Sequence, residues 1–284
     1  MNGQAATERI TLKHRVADGD ATTAVELLAT LSGLSRGRIK DAMNKGAVWL
    51  SGRRGGRHRL RRASSELHSG DVIELFYDGA LLALTPPQAR CLHDTRKYSI
   101  WFKPPGLLAQ GTDYGDHCSL LRQVEQQLKR PVFLVHRLDR EACGLMLVAH
   151  VPQAASQLSR LFQQGDVDKR YRVVVRGDVT ALLGEQGRIE APLDGKRAVT
   201  EFRVLSVDRV RGVSTVEVRL LTGRLHQIRR HFDLSGCPLL GDPRYGKGNK
   251  DSDGLHLAAV SLSFAEPSGG RRVAFELPAE LLPF

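Results

Sequence analysis

The stretch HRLDREACGLMLVAH, residues 136–150, constrains the fold of this chain more than any other. From Gly144 to Ala149 it is an unbroken apolar run, too short for a typical helix and bounded by polar residues, which is the pattern of a buried strand. Ahead of that strand stand His136, Arg137, Asp139 and Arg140. An aspartate at such a turn is either one half of a surface ion pair or a working carboxylate that a neighbouring guanidinium holds ionised.

The surrounding patterns mix strands and helices. YSIWFKP, RYRVVVRG and VSTVEVRLL predict strands, whereas SLLRQVEQQL and AASQLSRLFQQG predict amphipathic helices, the second ending at Gly165. RLHQIRRHFDLSG predicts a helix stopped at Gly236. Strands outnumber helices and do not alternate regularly with them, so the expected class is α+β around a mostly antiparallel mixed sheet.

Charge divides the chain. There are 42 Lys and Arg against 31 Asp and Glu, a formal charge of +11, and residues 35–62 hold ten of the cations and a single acid, Asp41. That block is patterned: Ser35 can cap a helix through Lys45, with Ile39, Ala42 and Met43 at core spacing and Gly46 in the left-handed position. Two strands, AVWLSG and DVIELFY, follow, and residues 80–95 carry a Pro-Pro pair without clear period. A small basic domain over 18–80, a linker over 81–94 and a larger domain over 95–284 are the expected organisation. Arg36, Arg38, Lys40, Arg53, Arg54 and Arg57 are its candidate phosphate contacts.

The four cysteines are far apart and form no CxxC pair, so neither a zinc site nor a disulfide framework is expected. The sequence shows no run long enough to span a membrane and no secretory signal at the N-terminus MNGQAATERITLKHR, so a cytoplasmic protein without membrane contact is expected.

Two further segments bear on chemistry. LLTGRLHQIRRHF, residues 220–232, runs from a strand through a Thr-Gly turn into a helix carrying Arg224, His226, Gln227, Arg229, Arg230 and His231. Such a cluster beside a buried strand is costly unless its members are paired or face a charged ligand, and Arg224 could reach a carboxylate across the site. The alternative is that half of these side chains form a solvated helix face. KRYRVVVRG sets Tyr171 in a basic, β-forming run, where a tyrosine packs in the sheet, stacks on a base or moves a proton.

Two resemblances attach to these motifs. LSRGRIKDAMNKGAVWLSG followed by HSGDVIELF resembles the small RNA-binding domain first known from small-subunit ribosomal protein four. HRLDREACGLMLVAH, KRYRVVVRG and TGRLHQIRRHF, with GDPRYG close behind, IWFKPPGLLAQ upstream and LHLAAVSLSF downstream, are similar to the RluA-type pseudouridine synthases. The second resemblance implies a catalytic domain of the pseudouridine synthase type, with Asp139 as the catalytic aspartate, Arg224 as its paired arginine and Tyr171 against the target base. It implies that Arg137 enters the RNA helix where that base leaves, with His136 and Arg229 as further RNA contacts. The sequence departs from the family at Ala142 and Cys143, where Thr-Ser is usual, and at His150, where lysine is common.

The reaction so implied isomerises uridine in structured RNA, large-subunit ribosomal or transfer RNA, with Asp139 acting as nucleophile or as base toward a glycal intermediate. It needs no metal or organic cofactor, and a monomer is the family expectation. A non-catalytic assembly factor or RNA chaperone on the same fold is the alternative. A nucleoside glycosidase is weaker, because the sequence places no second acid at an evident partner position.

Overall fold

The computed structural model describes residues 8–52, 55–267 and 269–284. The chain separates into two compact units, one formed by residues up to Pro86 together with Gln110–Gln123, the other by Pro87–Ala109 and Val124–Phe284.

The first unit contains β1 (Arg9–Arg15), α1 (Ala24–Ser32), α2 (Arg36–Asn44), β2 (Val48–Ser51), β3 (His58–Arg59), β4 (Val72–Asp78) and α3 (Gly79–Leu82). Its sheet runs β1-β4-β2-β3, and the alternating burial of β4 presents Ile73, Leu75 and Tyr77 to both helices' apolar residues, among them Leu28, Ile39 and Met43. Ser35 caps α2 by accepting from the Arg38 amide at 3.3 Å, and Gly46 turns the chain at φ 80°, as the pattern predicts.

Sequence order places residues 110–123 inside the larger domain, but they pack in the first unit. The Asp116 amide donates to the Lys45 carbonyl at 2.9 Å, Trp49 Nε1 donates to the Asp113 carbonyl at 3.1 Å, and Tyr114 meets Phe76 edge-on at 5.5 Å. The expected linker is also shorter than 81–94: α3 occupies its start, and residues 90–94 pair as an edge strand.

That strand, β5 (Arg90–Asp94), opens the second unit, followed by β6 (Tyr98–Lys103), α4 (Leu120–Leu128), β7 (Phe133–Leu134), β8 (Cys143–Ala149) and α5 (Pro152–Gln164). Then come β9 (Asp168–Arg176), α6 (Val179–Leu183), β10 (Gln186–Ile189), β11 (Thr200–Asp208), β12 (Val213–Leu220), α7 (Gln227–Leu234), β13 (Leu257–Ala265) and β14 (Arg272–Glu276). Helix α4 carries the chain across the boundary between the units. Ten strands form one sheet in the order β10-β11-β12-β9-β13-β8-β6-β5, with β14 on β13 and β7 on β8. All its pairings are antiparallel except β8 with β13, so the fold is the α+β class expected.

Strand β8 is buried at all seven positions. At Gly144 the backbone takes φ 113°, and a Cβ there would lie 2.3 Å from the Ala259 carbonyl oxygen, so only glycine admits the close parallel pairing of β8 with β13. Among the described residues no helix is long and apolar enough to cross a membrane.

Candidate active site

The turn ahead of β8 is fixed from below by Lys103, the last residue of β6. This lysine is fully buried, and Nζ donates to the carbonyls of Leu107 at 2.7 Å, Pro104 at 3.0 Å and Arg140 at 3.3 Å. Burial pushes its pKa down to about 8, against the opposing pull of Cys143, Asp139 and Glu141. The Gly106 amide donates to the same Arg140 carbonyl at 2.8 Å, and Arg140 Nε returns a bond to the Gly106 carbonyl at 3.2 Å. The KPPG segment therefore clamps Arg140, the residue directly after Asp139. Ala142 and Cys143, the departures from the family pattern, are buried where the turn becomes strand, and His150 at its far end meets Ser99 Oγ at 2.8 Å.

Asp139 is matched by α7. Arg229, fully buried in that helix, donates from Nη1 to Asp139 Oδ2 at 3.0 Å, while Nε and Nη2 each reach an oxygen of Asp242 at 2.7 Å. Burial opposes the guanidinium charge, but the hydrogen bonds that Arg229 donates to Asp242 and Asp139 outweigh it and raise the pKa. Glu141 stands 3.7 Å from Nη1, so three acids face one arginine. This corrects the expectation of no second acid: Asp242 and Glu141 both gather here, and both share Arg229 with Asp139. Asp242 is set by its own turn, accepting from the amides of Arg244 at 2.8 Å and Tyr245 at 3.1 Å.

Arg224 is not the partner of Asp139. Its Nε donates to the Arg197 carbonyl at 3.0 Å and its amide to Gln227 Oε1 at 3.0 Å, because the chain bends at His226 (φ 50°) and α7 begins only at Gln227. Arg229 was expected at the RNA and is instead enclosed. Its signal in the sequence was its place beside Ile228 and Phe232 on the buried stripe of α7, since a cation there requires an acid such as the one in GDPRYG.

A cavity of about 950 Å³ opens over these groups, lined by Arg137, Asp139, Tyr171, Arg224, His226 and Arg229 among others. Asp139 retains 24% side-chain exposure to it. Tyr171 lies on β9 between Val218 and Ala259, nearly buried, and burial together with the charge of Asp139 raises its phenol above the ordinary value. His226 Nε2 approaches Asp139 Oδ1 at 3.8 Å, and its Nδ1 meets the Tyr245 hydroxyl at 3.1 Å. Arg137 is exposed on the rim and makes no ion pair or hydrogen bond among the described residues.

His136 plays another part than the one expected. Its Nε2 accepts from the Leu147 amide at 2.9 Å and its ring stacks on Phe162 at 4.4 Å, while burial pushes its pKa down to about 3, so a neutral imidazole supports β8. In the first unit, Lys40 is exposed and free of partners among the described residues, and Arg36 is exposed with Glu26 at 3.3 Å. Arg38 is bound to Glu8 and Tyr77. Arg57 donates to Glu74 at 2.7 Å and Asp113 at 2.9 Å over the Trp49 ring, so its charge is already met. Arg53 and Arg54 lie outside the described residues.

Outside the cavity, Asp251, Asp253 and His256 bring carboxylate and imidazole atoms within 4.8 Å of one another and could hold a cation; none of them touches Asp139.

Comparison with known proteins gives the family of the chain. The family model of RNA pseudouridylate synthase matches residues 97–234. An RNA pseudouridine synthase of Mycobacterium tuberculosis is 32% identical over 304 residues, covering 93% of this chain and 92% of that protein. One of Bacillus subtilis is 32% identical over 222 residues, covering 72% and 69%. Ribosomal large subunit pseudouridine synthase D of Vibrio cholerae is 36% identical over 173 residues, about half of each chain. Among solved structures, human RNA pseudouridylate synthase domain containing 4 superposes with TM-score 0.54 at 25% identity, over 68% of this chain and 90% of that one. With a family model matched over residues 97–234, a relative at 32% identity matched over 92% of its own length, and a buried strand, a carboxylate and a cavity gathered in one unit, the chain belongs to the RNA pseudouridine synthase family, isomerases that act on RNA.

Proposed function

We propose that Asp139 is the catalytic carboxylate with which this chain isomerises a uridine held in the cavity. The observation that carries this reading is the bond from Arg229 Nη1 to Asp139 Oδ2: it fixes the carboxylate through one oxygen while the side chain stays partly exposed at the cavity. The reaction breaks the bond between uracil nitrogen 1 and the anomeric carbon, turns the base and joins that carbon to uracil carbon 5. The proton displaced from carbon 5 is lost, and nitrogen 1 gains one. An ionised Asp139 starts this by attacking the anomeric carbon or by removing a ribose proton. Tyr171 supports the uracil by stacking; burial and the charge of Asp139 raise its pKa, which keeps the phenol protonated and leaves no phenolate to take the carbon 5 proton. Arg224 and Arg137 are cations on the cavity wall and rim for the phosphates and stack around the extruded nucleotide.

Large-subunit ribosomal RNA is the proposed target, supported by the relatives named for that subunit. The first unit is proposed as an RNA-binding domain like that of small-subunit ribosomal protein four. Lys40, Arg36 and Arg62 are exposed cations of this unit, whereas Arg57, also exposed, is engaged with Glu74 and Asp113. Mapping pseudouridines in ribosomal and transfer RNA from cells with and without the gene tests the assignment. A pseudouridine lost from large-subunit RNA supports it, and one lost only from transfer RNA replaces the target.

A further inference from the structure

The turn between β12 and α7 is held more tightly than a surface turn requires. Thr222 Oγ1 accepts from the Val199 amide at 2.9 Å and donates to Gln227 Oε1 at 2.8 Å; that same oxygen takes the Arg224 amide at 3.0 Å. Gln227 Nε2 donates to the Val199 carbonyl and to Thr200 Oγ1, each at 3.0 Å. Arg224 and His226 are bonded through their side chains to Arg197 and Tyr245. Leu225, between them, is 65% exposed and borders the cavity that holds Asp139.

A lone exposed leucine is ordinary on a protein surface. This one sits on a turn braced on both sides by side-chain hydrogen bonds, beside the cavity that holds Asp139. Arg137, the free cation on the same rim, brings a charged, hydrated head to the RNA, whereas Leu225 presents a wholly apolar side chain. A base leaving its stack exposes the faces of its neighbours at a cost of a few kcal/mol, and an apolar side chain inserted between base steps offsets part of that cost.

We propose that Leu225 is a wedge that enters the RNA stack as the target uridine leaves it, which fits this enzyme to a uridine stacked within a helical stem rather than one already exposed in a loop. The proposal rests on the synthase reading and adds the state of the RNA that the enzyme accepts. Leu225 is then a positioning residue, acting on the neighbours of the reacting nucleotide and not on the uracil or ribose.

The test uses the full chain and two RNAs with the mapped target sequence, one pairing the uridine in its stem, the other leaving it unpaired. The rate of pseudouridine formation is measured at subsaturating enzyme for wild type, Leu225→Ala and Leu225→Met, with 2-aminopurine beside the target reporting unstacking. Leu225→Ala is expected to lose about tenfold or more on the stem and less than about twofold on the unpaired RNA, with a diminished fluorescence rise on the stem. Leu225→Met, which keeps apolar bulk, is expected to recover most of the rate. Equal losses on both RNAs, or no loss on the stem, would overturn the wedge. Wild-type enzyme that forms no pseudouridine on either RNA would overturn the synthase reading itself, and the wedge with it.

Discussion

Arg229 binds Asp139 with one nitrogen and both oxygens of Asp242 with the other two, so the carboxylate at the cavity is positioned by a buried aspartate on a different loop. The fork fills one guanidinium from two sides and leaves little freedom to any of the three groups.

Asp242→Asn keeps the shape of this support but weakens the charge that orients Arg229. The expected result is a fall in kcat of about tenfold to a hundredfold with KM changed far less, because small misplacements of a reacting group are costly. Single-turnover kinetics on a fixed RNA reads this directly. A change confined to KM would mean that Asp242 serves RNA binding instead.

Removing Arg229 is a harsher change. Arg229→Ala leaves Asp242 enclosed with Asp139 and without their shared cation, and a loss of about 3–5 kcal/mol in unfolding free energy is expected. Denaturant unfolding of the variant measures it, and a loss below about 1 kcal/mol would show that the fork is not a buried network.

His136 gives a pH signature. Its folded-state pKa of about 3 lies below the ordinary histidine value of 6.5, so protonation favours the unfolded chain. The stability tied to the neutral ring is complete above pH 6.5 and is lost as pH falls toward 3. His136→Gln, which keeps an acceptor for the Leu147 amide without titrating, is expected to flatten the acid limb of stability by about 1.4 kcal/mol per pH unit at most. Unfolding curves at several pH values between 6.5 and 4 compare the two proteins, and parallel limbs would remove His136 from the account.

Salt separates the free cations of the first unit from the engaged ones. Lys40→Ala and Arg62→Ala are each expected to lower the slope of log affinity against log salt by about one, uniformly across RNA sequences. Arg57→Ala, whose guanidinium already serves Glu74 and Asp113, is expected to change the slope less. A larger effect from Arg57 would show that these internal pairs open when RNA binds.

What the sequence made legible was local. Strand β8, the capped helix α2 and the stop of α5 at Gly165 are written in periodicity and caps, and Asp139 and Tyr171 are drawn to one cavity by strands that the pattern predicts. The choice between Arg224 and Arg229 was legible only as the apolar stripe of α7 that Arg229 shares, because it turns on where α7 begins, and that is set by the left-handed backbone of His226 and by the Gln227 side chain bonding to residues 199 and 200. The return of residues 110–123 to the first unit was hidden for a similar reason: Asp113 and Asp116 find Arg57, Arg59 and Arg61 more than 50 residues away in sequence.

Asp139 is the residue on which the proposed chemistry turns. Asp139→Asn preserves size and retains an acceptor for Arg229, so folding and RNA affinity are expected to stay near those of the wild type. Pseudouridine formation, measured by mass spectrometry on the mapped RNA after long incubation, is expected to be abolished in that variant. Pseudouridine at the wild-type rate in Asp139→Asn would contradict the account.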